Sequence, residues 1–231
     1  IGLTTNNEIL GAQDTADVIE RNLHTLTIQP DTLTDIWIQL TKLRGEPLSV
    51  PNEGLIYRIC TEMTSAEKVV LTGEGADELL FGYDGIYRWA IAGEWHGIED
   101  FLRRYGYSID FPATDRLAQF IESERDQKKL IEFVEDFFYK LHLPGLLRRM
   151  DFATMAASKE ARVPFVDTQL IEYMYRKPSS VKLDSSFSKI PLRKVANEMK
   201  LHGALDRKKI GFSATPSLGV TRYEEYKNFQ N

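Results

Sequence analysis

The stretch "KVVLTGEGADELLFGY", residues 68–83, runs an apolar, β-prone segment (68–72) into a glycine turn and then into helix-forming sequence. A strand that ends in Gly-x-Gly and opens a helix gathers free backbone N–H groups in one place, and such turns ordinarily receive phosphate. This turn also carries Glu74, Asp77 and Glu78. On these residues alone two readings stay open. In the first, Gly73 and Gly75 make a tight turn, Asp77 caps the next helix, and Glu74 and Glu78 are solvated charges favoured near a helix N-terminus. In the second, the backbone binds phosphate oxygens and an acid holds Mg²⁺. The metal removes the repulsion between carboxylate and phosphate, because Mg²⁺ sites commonly consist of one or two carboxylates plus substrate phosphates.

Upstream of this stretch, apolar residues recur at helical spacing over 7–23, with Asn7 placed to cap. Residues 24–29 alternate as a strand does, 32–43 return to helical spacing, Pro47 and Pro51 mark a loop, and 53–63 read as a further helix. Strands alternating with helices of this length predict a parallel α/β sheet with its functional loops at the carboxyl ends of the strands. Downstream of Tyr83 the strands largely disappear. Segments 86–92, 98–105, 116–122 and 129–142 read as amphipathic helices, and the stripe Leu130, Ile131, Phe133, Val134, Phe137, Phe138 reads as core packing. Residues 84–200 are therefore expected to form a helical layer, with "RVPFVD" (162–167) as a turn between helices.

With 231 residues, 42% of them hydrophobic, the chain can bury a sizeable core as one soluble domain, or as one domain plus part of another. A formal net charge of −5 gives no electrostatic reason to expect nucleic acid or an anionic membrane as partner. No stretch has the length of a membrane span and no signal-peptide pattern opens the chain. The single cysteine, Cys60, excludes an internal disulfide framework, suits a reducing cytoplasm, and reads as a small packed hydrophobe. His24, His96, His142 and His202 lack metal-ligand spacing and are given no role. The chain opens Ile1-Gly2-Leu3 without methionine, as if within a strand, so the natural protein is expected to extend upstream.

Far from the acidic turn, Arg207-Lys208-Lys209-Ile210-Gly211-Phe212-Ser213 sets three cations before a Gly-Phe turn. A basic run is ordinarily a solvated face. Paired with an acidic Mg²⁺ loop, it is also the second half that phosphoryl or nucleotidyl chemistry needs: one loop holds the metal and the other neutralises the leaving group.

Residues 68–83 resemble the segment after the ATP-binding core strand in the synthetase domain of glutamine-dependent asparagine synthetases, with their β-lactam synthetase and lasso-peptide cyclase relatives. Three further stretches agree in order and rough spacing: "IGL" followed by "NNE" at the start, "MDFATMAASKEARVPFVD" (150–167), and "LRKVA" with "LDRKKIGFSATP" (192–216). The resemblance implies an α/β, parallel-sheet nucleotide-binding fold of the ATP-pyrophosphatase type (adenine nucleotide alpha hydrolase-like), followed by a mainly helical layer. It divides the chain at Tyr83. Residues 1–83 would be the C-terminal part of the nucleotide-binding core. Residues 84–231 would be the helical, substrate-side portion of the same domain, returning a catalytic lysine loop at 207–213.

The implied chemistry is that of an ATP- and Mg²⁺-dependent ligase, an amidotransferase of asparagine biosynthesis. A carboxylate is adenylated with release of pyrophosphate, and ammonia or an amine then attacks the acyl-adenylate. Carried over by position, Thr72, Gly73 and Gly75 would contact the nucleotide or its phosphates through the backbone, and Ile1 would touch adenine. Asp77 would bind Mg²⁺, Glu74 would accept the amine's proton, Tyr83 would partner such a base as in the β-lactam relatives, and Lys209 would stabilise the adenylation transition state. Glu78 is assigned a supporting role and Arg162 the fixing of the turn beside it.

The departures are specific. The chain lacks the family's upstream "Ser-Gly-Gly-x-Asp-Ser" pyrophosphate loop and the glutaminase half, which is expected upstream or in trans, and Phe81 stands where "Phe-Gly-Gly-Tyr" has its first glycine. The 231 residues alone are therefore not expected to turn over. The substrate implied by default is aspartate; a peptide or antibiotic precursor and a non-catalytic nucleotide-fold binding module are the alternatives. The expected location is cytoplasmic.

Overall fold

Among the described residues, which are mostly helical, two short parallel strand pairs, each joining segments distant in sequence, provide the β structure. The computed structural model describes residues 2–3, 9–29, 32–106, 115–205 and 229. Through the acidic stretch its elements are β1 (Gly2–Leu3), α1 (Ile9–Val18), β2 (Thr27–Ile28), α2 (Thr32–Arg44), α3 (Glu53–Glu62), β3 (Val69–Leu71) and α4 (Ala76–Leu79). Then follow α5 (Asp84–Ala92), α6 (Ile98–Tyr105), α7 (Asp115–Arg125), α8 (Leu130–Phe137), a π-helical turn (Phe138–His142) and α9 (Leu143–Met155). Last come β4 (Glu160–Arg162), a 3₁₀ turn (Pro164–Val166), α10 (Thr168–Tyr175), α11 (Ser179–Lys182), α12 (Ile190–Glu198) and α13 (His202–Leu205).

The chain resolves into two compact units, one of residues 1–72, 147–164 and 193–231, the other of 73–146 and 165–192. In the first, β1 pairs parallel with β2 and β3 parallel with β4, the latter in the register Val69↔Glu160, Val70↔Ala161, Leu71↔Arg162. Of the segment read as a turn between helices (162–167), Pro164–Val166 is indeed a 3₁₀ turn leading into α10, but Arg162 belongs to β4, so the turn follows a strand and not a helix. Glu-Ala-Arg has neither the length nor the alternation of a recognisable strand, and pairing with β3 is what makes it one. Arg162 is likewise not where it was expected: its side chain is exposed and its Nε bonds Glu160 within the same strand at 2.9 Å.

Helices α2 and α3 pack through Trp37, which is fully buried and whose indole N–H donates to the Pro51 carbonyl at 2.6 Å. A Cβ at Gly54 of α3 would fall 2.6 Å from Trp37 Cδ1, so the glycine inside this helix makes room for the indole. The buried Glu53 carboxylate pairs with Arg44 and accepts the N–H groups of Ser49 and Val50, which ties down the proline loop. Ahead of β3, the buried Lys159 ammonium donates to the carbonyls of Thr64 and Glu67 at 2.7 Å each. Cys60 is fully buried beside Leu40, Ile56 and Met150, as expected of a small hydrophobe, and burial pushes its thiol up.

The second unit is helical and aromatic. Phe81, Tyr87, Trp89, Phe101, Phe133, Phe137 and Phe138 form one buried cluster, so the stripe on α8 is core. Leu79 and Leu80 seat α4 on Met174 of α10 in a separate cluster. Among the described residues no helix is long and apolar enough to cross a membrane.

Candidate active site

In the first unit, β3 delivers the chain to the acidic turn. The N–H of Thr72 donates to the Arg162 carbonyl at 2.9 Å, extending the β3–β4 pairing by one residue. The turn itself opens the second unit. The Gly73 carbonyl accepts the Ala76 N–H at 3.3 Å, and Gly75 stands at φ +90°, ψ −18° as the residue before α4. An L side chain is strained in that left-handed region, and a Cβ there would lie 2.6 Å from Val166 Cγ2. Glycine at 75 is required by conformation and by space together.

Helix α4 is a single turn, and its acidic neighbours Asp77 and Glu78 have unlike surroundings. Asp77 is partly exposed, with Oδ1 2.7 Å from the Lys189 ammonium. Lys189 is held at φ +55° with its N–H on the Leu80 carbonyl at 3.1 Å. Gly82 packs directly under this pair: its N–H donates to the Asp77 carbonyl at 2.8 Å, and a Cβ would fall 1.7 Å from Asp77 Oδ1 and 2.3 Å from Lys189 Cε.

Glu78 is buried and accepts the Tyr83 hydroxyl at 2.6 Å. Burial pushes its carboxyl above the usual range, against the opposing effect of the Tyr83 hydrogen bond, and burial followed by the charge of Glu78 drives the Tyr83 phenol well up. The Tyr83 oxygen also lies 3.1 Å from His142 Nε2, and His142 Nδ1 lies 2.7 Å from the Tyr105 hydroxyl. The ring of Tyr83 stacks on Phe138 at 4.7 Å.

The structure thus brings Gly73, Gly75, Asp77 and Tyr83 into one loop-and-helix segment, with Glu74 in the same turn. Ile1 and Lys209 lie outside the described residues. Sequence reasoning missed Lys189 and His142. Lys189 stands just before the quoted "LRKVA" stretch, which was the one available signal, whereas nothing in the pattern around His142 pointed to Tyr83. Among the described residues no group of three His, Cys, Asp or Glu side chains could hold a metal ion by itself. Asp77 nevertheless suits a Mg²⁺ ion whose other ligands are phosphate oxygens, since its partly exposed carboxylate already attracts a cation, the Lys189 ammonium.

The family model for asparagine synthase matches residues 1–230, and the chain belongs to that family. Asparagine synthetase [glutamine-hydrolyzing] 1 of Bacillus subtilis (strain 168) is 26% identical over 254 residues, covering 89% of this chain and 40% of that protein. Asparagine synthetase [glutamine-hydrolyzing] 3 of the same organism is 23% identical over 207 residues, covering 83% of this chain and 34% of that protein. The chain therefore spans well under half the length of these curated relatives. No solved structure gives a significant match.

Proposed function

We propose that the chain is the synthetase portion of an ATP- and Mg²⁺-dependent amidoligase, activating a carboxylate as its acyl-adenylate with loss of pyrophosphate and then forming an amide. The observation that carries this reading is Asp77 on a single-turn helix, packed over Gly82 and next to an ammonium, in a chain of the asparagine synthase family. Asp77 would hold the magnesium, which when bound supplies charge neutralisation on the phosphates so that pyrophosphate can leave. Lys189, and Lys209 from the basic loop, would stabilise the negative charge that develops as the P–O bond breaks. The backbone of Thr72, Gly73 and Gly75 would orient the nucleotide, with Ile1 at adenine. Glu74 would take the proton of the attacking amine, and Tyr83 would support it.

Aspartate with ammonia is the default substrate pair, with the glutaminase supplied upstream or by another chain; a peptide or antibiotic precursor is the rival. A binding module without turnover has one observation in its favour: the carboxylate that would take the metal is already neutralised by Lys189. A screen of carboxylates for ATP-dependent pyrophosphate release, run on the full-length protein, separates these. The proposal expects release with one class of carboxylate and its abolition by Lys209→Ala. No release with any carboxylate refutes it, and near-normal release by the variant removes Lys209 from the mechanism.

A further inference from the structure

The helical run 130–155 is broken by one π turn, Phe138–His142. Such turns are rare and concentrate at functional sites, because the extra residue re-aims every side chain that follows. The effect is visible here. Leu130, Phe133, Val134, Phe137 and Phe138 continue at helical spacing to Leu141, yet Leu141 is exposed, and the side chain turned inward is His142. Its two ring nitrogens are both engaged, Nε2 by Tyr83 and Nδ1 by Tyr105, and its ring meets Phe138, Tyr83 and Tyr105 edge-on. Because the Tyr83 hydroxyl gives its one hydrogen to Glu78, Nε2 must donate to the Tyr83 oxygen while Nδ1 accepts the Tyr105 hydroxyl, which fixes the ring's orientation and its tautomer together.

We infer that His142 is a positioning residue for the acidic turn: held by Tyr105, it fixes the Tyr83 hydroxyl on the Glu78 carboxyl and so sets how α4 presents Asp77. A one-turn helix has too few internal hydrogen bonds to define its own orientation. The anchors of α4 include Leu79 and Leu80 on one side, the Asp77–Lys189 pair, the Tyr87 hydroxyl on the Glu78 carbonyl at 3.3 Å, and the buried Glu78 carboxyl, which Tyr83 grips. Removing the imidazole takes the His142 contact from the phenol oxygen and loosens that grip.

The inference rests on the proposal that Asp77 receives Mg²⁺, and its test reads metal binding separately from turnover. Mg²⁺ is titrated calorimetrically into full-length wild-type, His142→Ala, His142→Gln and Tyr105→Phe proteins in the presence of inorganic pyrophosphate, and pyrophosphate release is assayed alongside. Partners bonded directly to metal ligands are worth about tenfold or more in affinity; His142 acts one step further out, through Tyr83 and Glu78, so H142A is expected to weaken Mg²⁺ by about threefold to tenfold. H142Q, whose amide can reach Tyr83 from the Nε2 position, should recover most of that loss. Y105F should fall between wild type and H142A, and it carries the test if H142A does not fold.

A role in packing alone would lower the melting temperature of H142A and H142Q together, without a glutamine-specific recovery of Mg²⁺ affinity. Wild-type Mg²⁺ affinity in folded H142A and Y105F, or no recovery in H142Q, overturns the inference. If no carboxylate elicits pyrophosphate release but H142A still loses Mg²⁺, the amidoligase reading falls and the positioning role stands. Unchanged Mg²⁺ affinity in H142A of a protein that does release pyrophosphate is the reverse, and a wild type that binds no Mg²⁺ with pyrophosphate overturns both.

Discussion

Gly82→Ala should dismantle the Asp77–Lys189 pair without touching either residue. Gly82 is not among the residues at positive φ, so alanine meets no backbone strain there and the whole effect is steric. The new methyl would lie 1.7 Å from Asp77 Oδ1 and 2.3 Å from Lys189 Cε, against an unstrained contact of about 3.5 Å. Both side chains must leave. Losing a partly exposed ion pair costs about 0.2–1 kcal/mol. Overpacking of this kind adds about 1–3 kcal/mol. The expected loss is about 2–3 kcal/mol by urea denaturation, with failure of pyrophosphate-dependent Mg²⁺ binding in the same protein. In an Asp77→Ala background the closest overlap has been removed, and the Lys189 stem is free to bend. There G82A should cost about 1 kcal/mol, giving a coupling of about 1–2 kcal/mol in the double-mutant cycle. A coupling below about 0.5 kcal/mol, or unchanged Mg²⁺ binding in G82A, would refute the claim that Gly82 is glycine for the sake of Asp77.

Lys182→Met should destabilise in a pH-dependent way. Lys182 is fully buried against Glu135 and over the Phe81 ring, and burial already raises the Glu135 carboxyl against the opposing pull of this lysine. Without Lys182 the folded-state pKa rises further above the unfolded one. The folded state then binds the proton more tightly, and stability is lost as pH rises through the folded pKa. The expected cost is about 3–5 kcal/mol at pH 8, where Glu135 is a stranded charge. At pH 4 it should be about 1–2 kcal/mol, mainly the lost cation–π contact; equal losses at the two pH values in urea melts would contradict this. Gly75→Ala should lose about 2 kcal/mol or more from left-handed strain and the clash with Val166, and Val166→Ala should restore only the clash component, as thermal melts of the two variants will show. Gly54→Ala gains about 1 kcal/mol of helix propensity but overpacks Trp37 by about 1–3 kcal/mol. A net loss with a red-shifted Trp37 emission is expected, and a stabilised protein would show that the indole can move aside.

The elements legible in the sequence are those whose own residues define them. The pattern over 98–105 predicts a helix, and α6 is Ile98–Tyr105; 32–43 became Thr32–Arg44, and 68–72 became β3 at Val69–Leu71. Illegible elements borrow their definition from elsewhere. β4 exists because three residues pair with β3, and the π turn interrupts a stripe that reads as continuous helix through Leu141. Of the helix read over 7–23, the described part is Ile9–Val18, which ends in a turn at residues 19–20, and of the strand read over 24–29, Thr27–Ile28 are the residues that pair with β1. The same division runs through the site. Glycines and acids of 73–78 announce themselves because turn conformation and charge are local properties. Lys189 and His142 reach α4 and Tyr83 only through tertiary contacts, which no spacing rule records.

Phe81 departs from the family motif yet adopts a backbone conformation that favours glycine. It stands where the family pattern has glycine. Its φ is +59°, the left-handed conformation that favours glycine, at a strain of about 1–2 kcal/mol for phenylalanine. The side chain is fully buried, stacked on Tyr87 at 4.0 Å with the Lys182 ammonium 4.6 Å above its ring. Burying a phenylalanine contributes about 1.5–3 kcal/mol, enough to offset the strain. The space beside Asp77 and Lys189 is governed by Gly82, which the motif retains. Phe81 therefore bears on the stability of this turn more than on the space around Asp77 and Lys189.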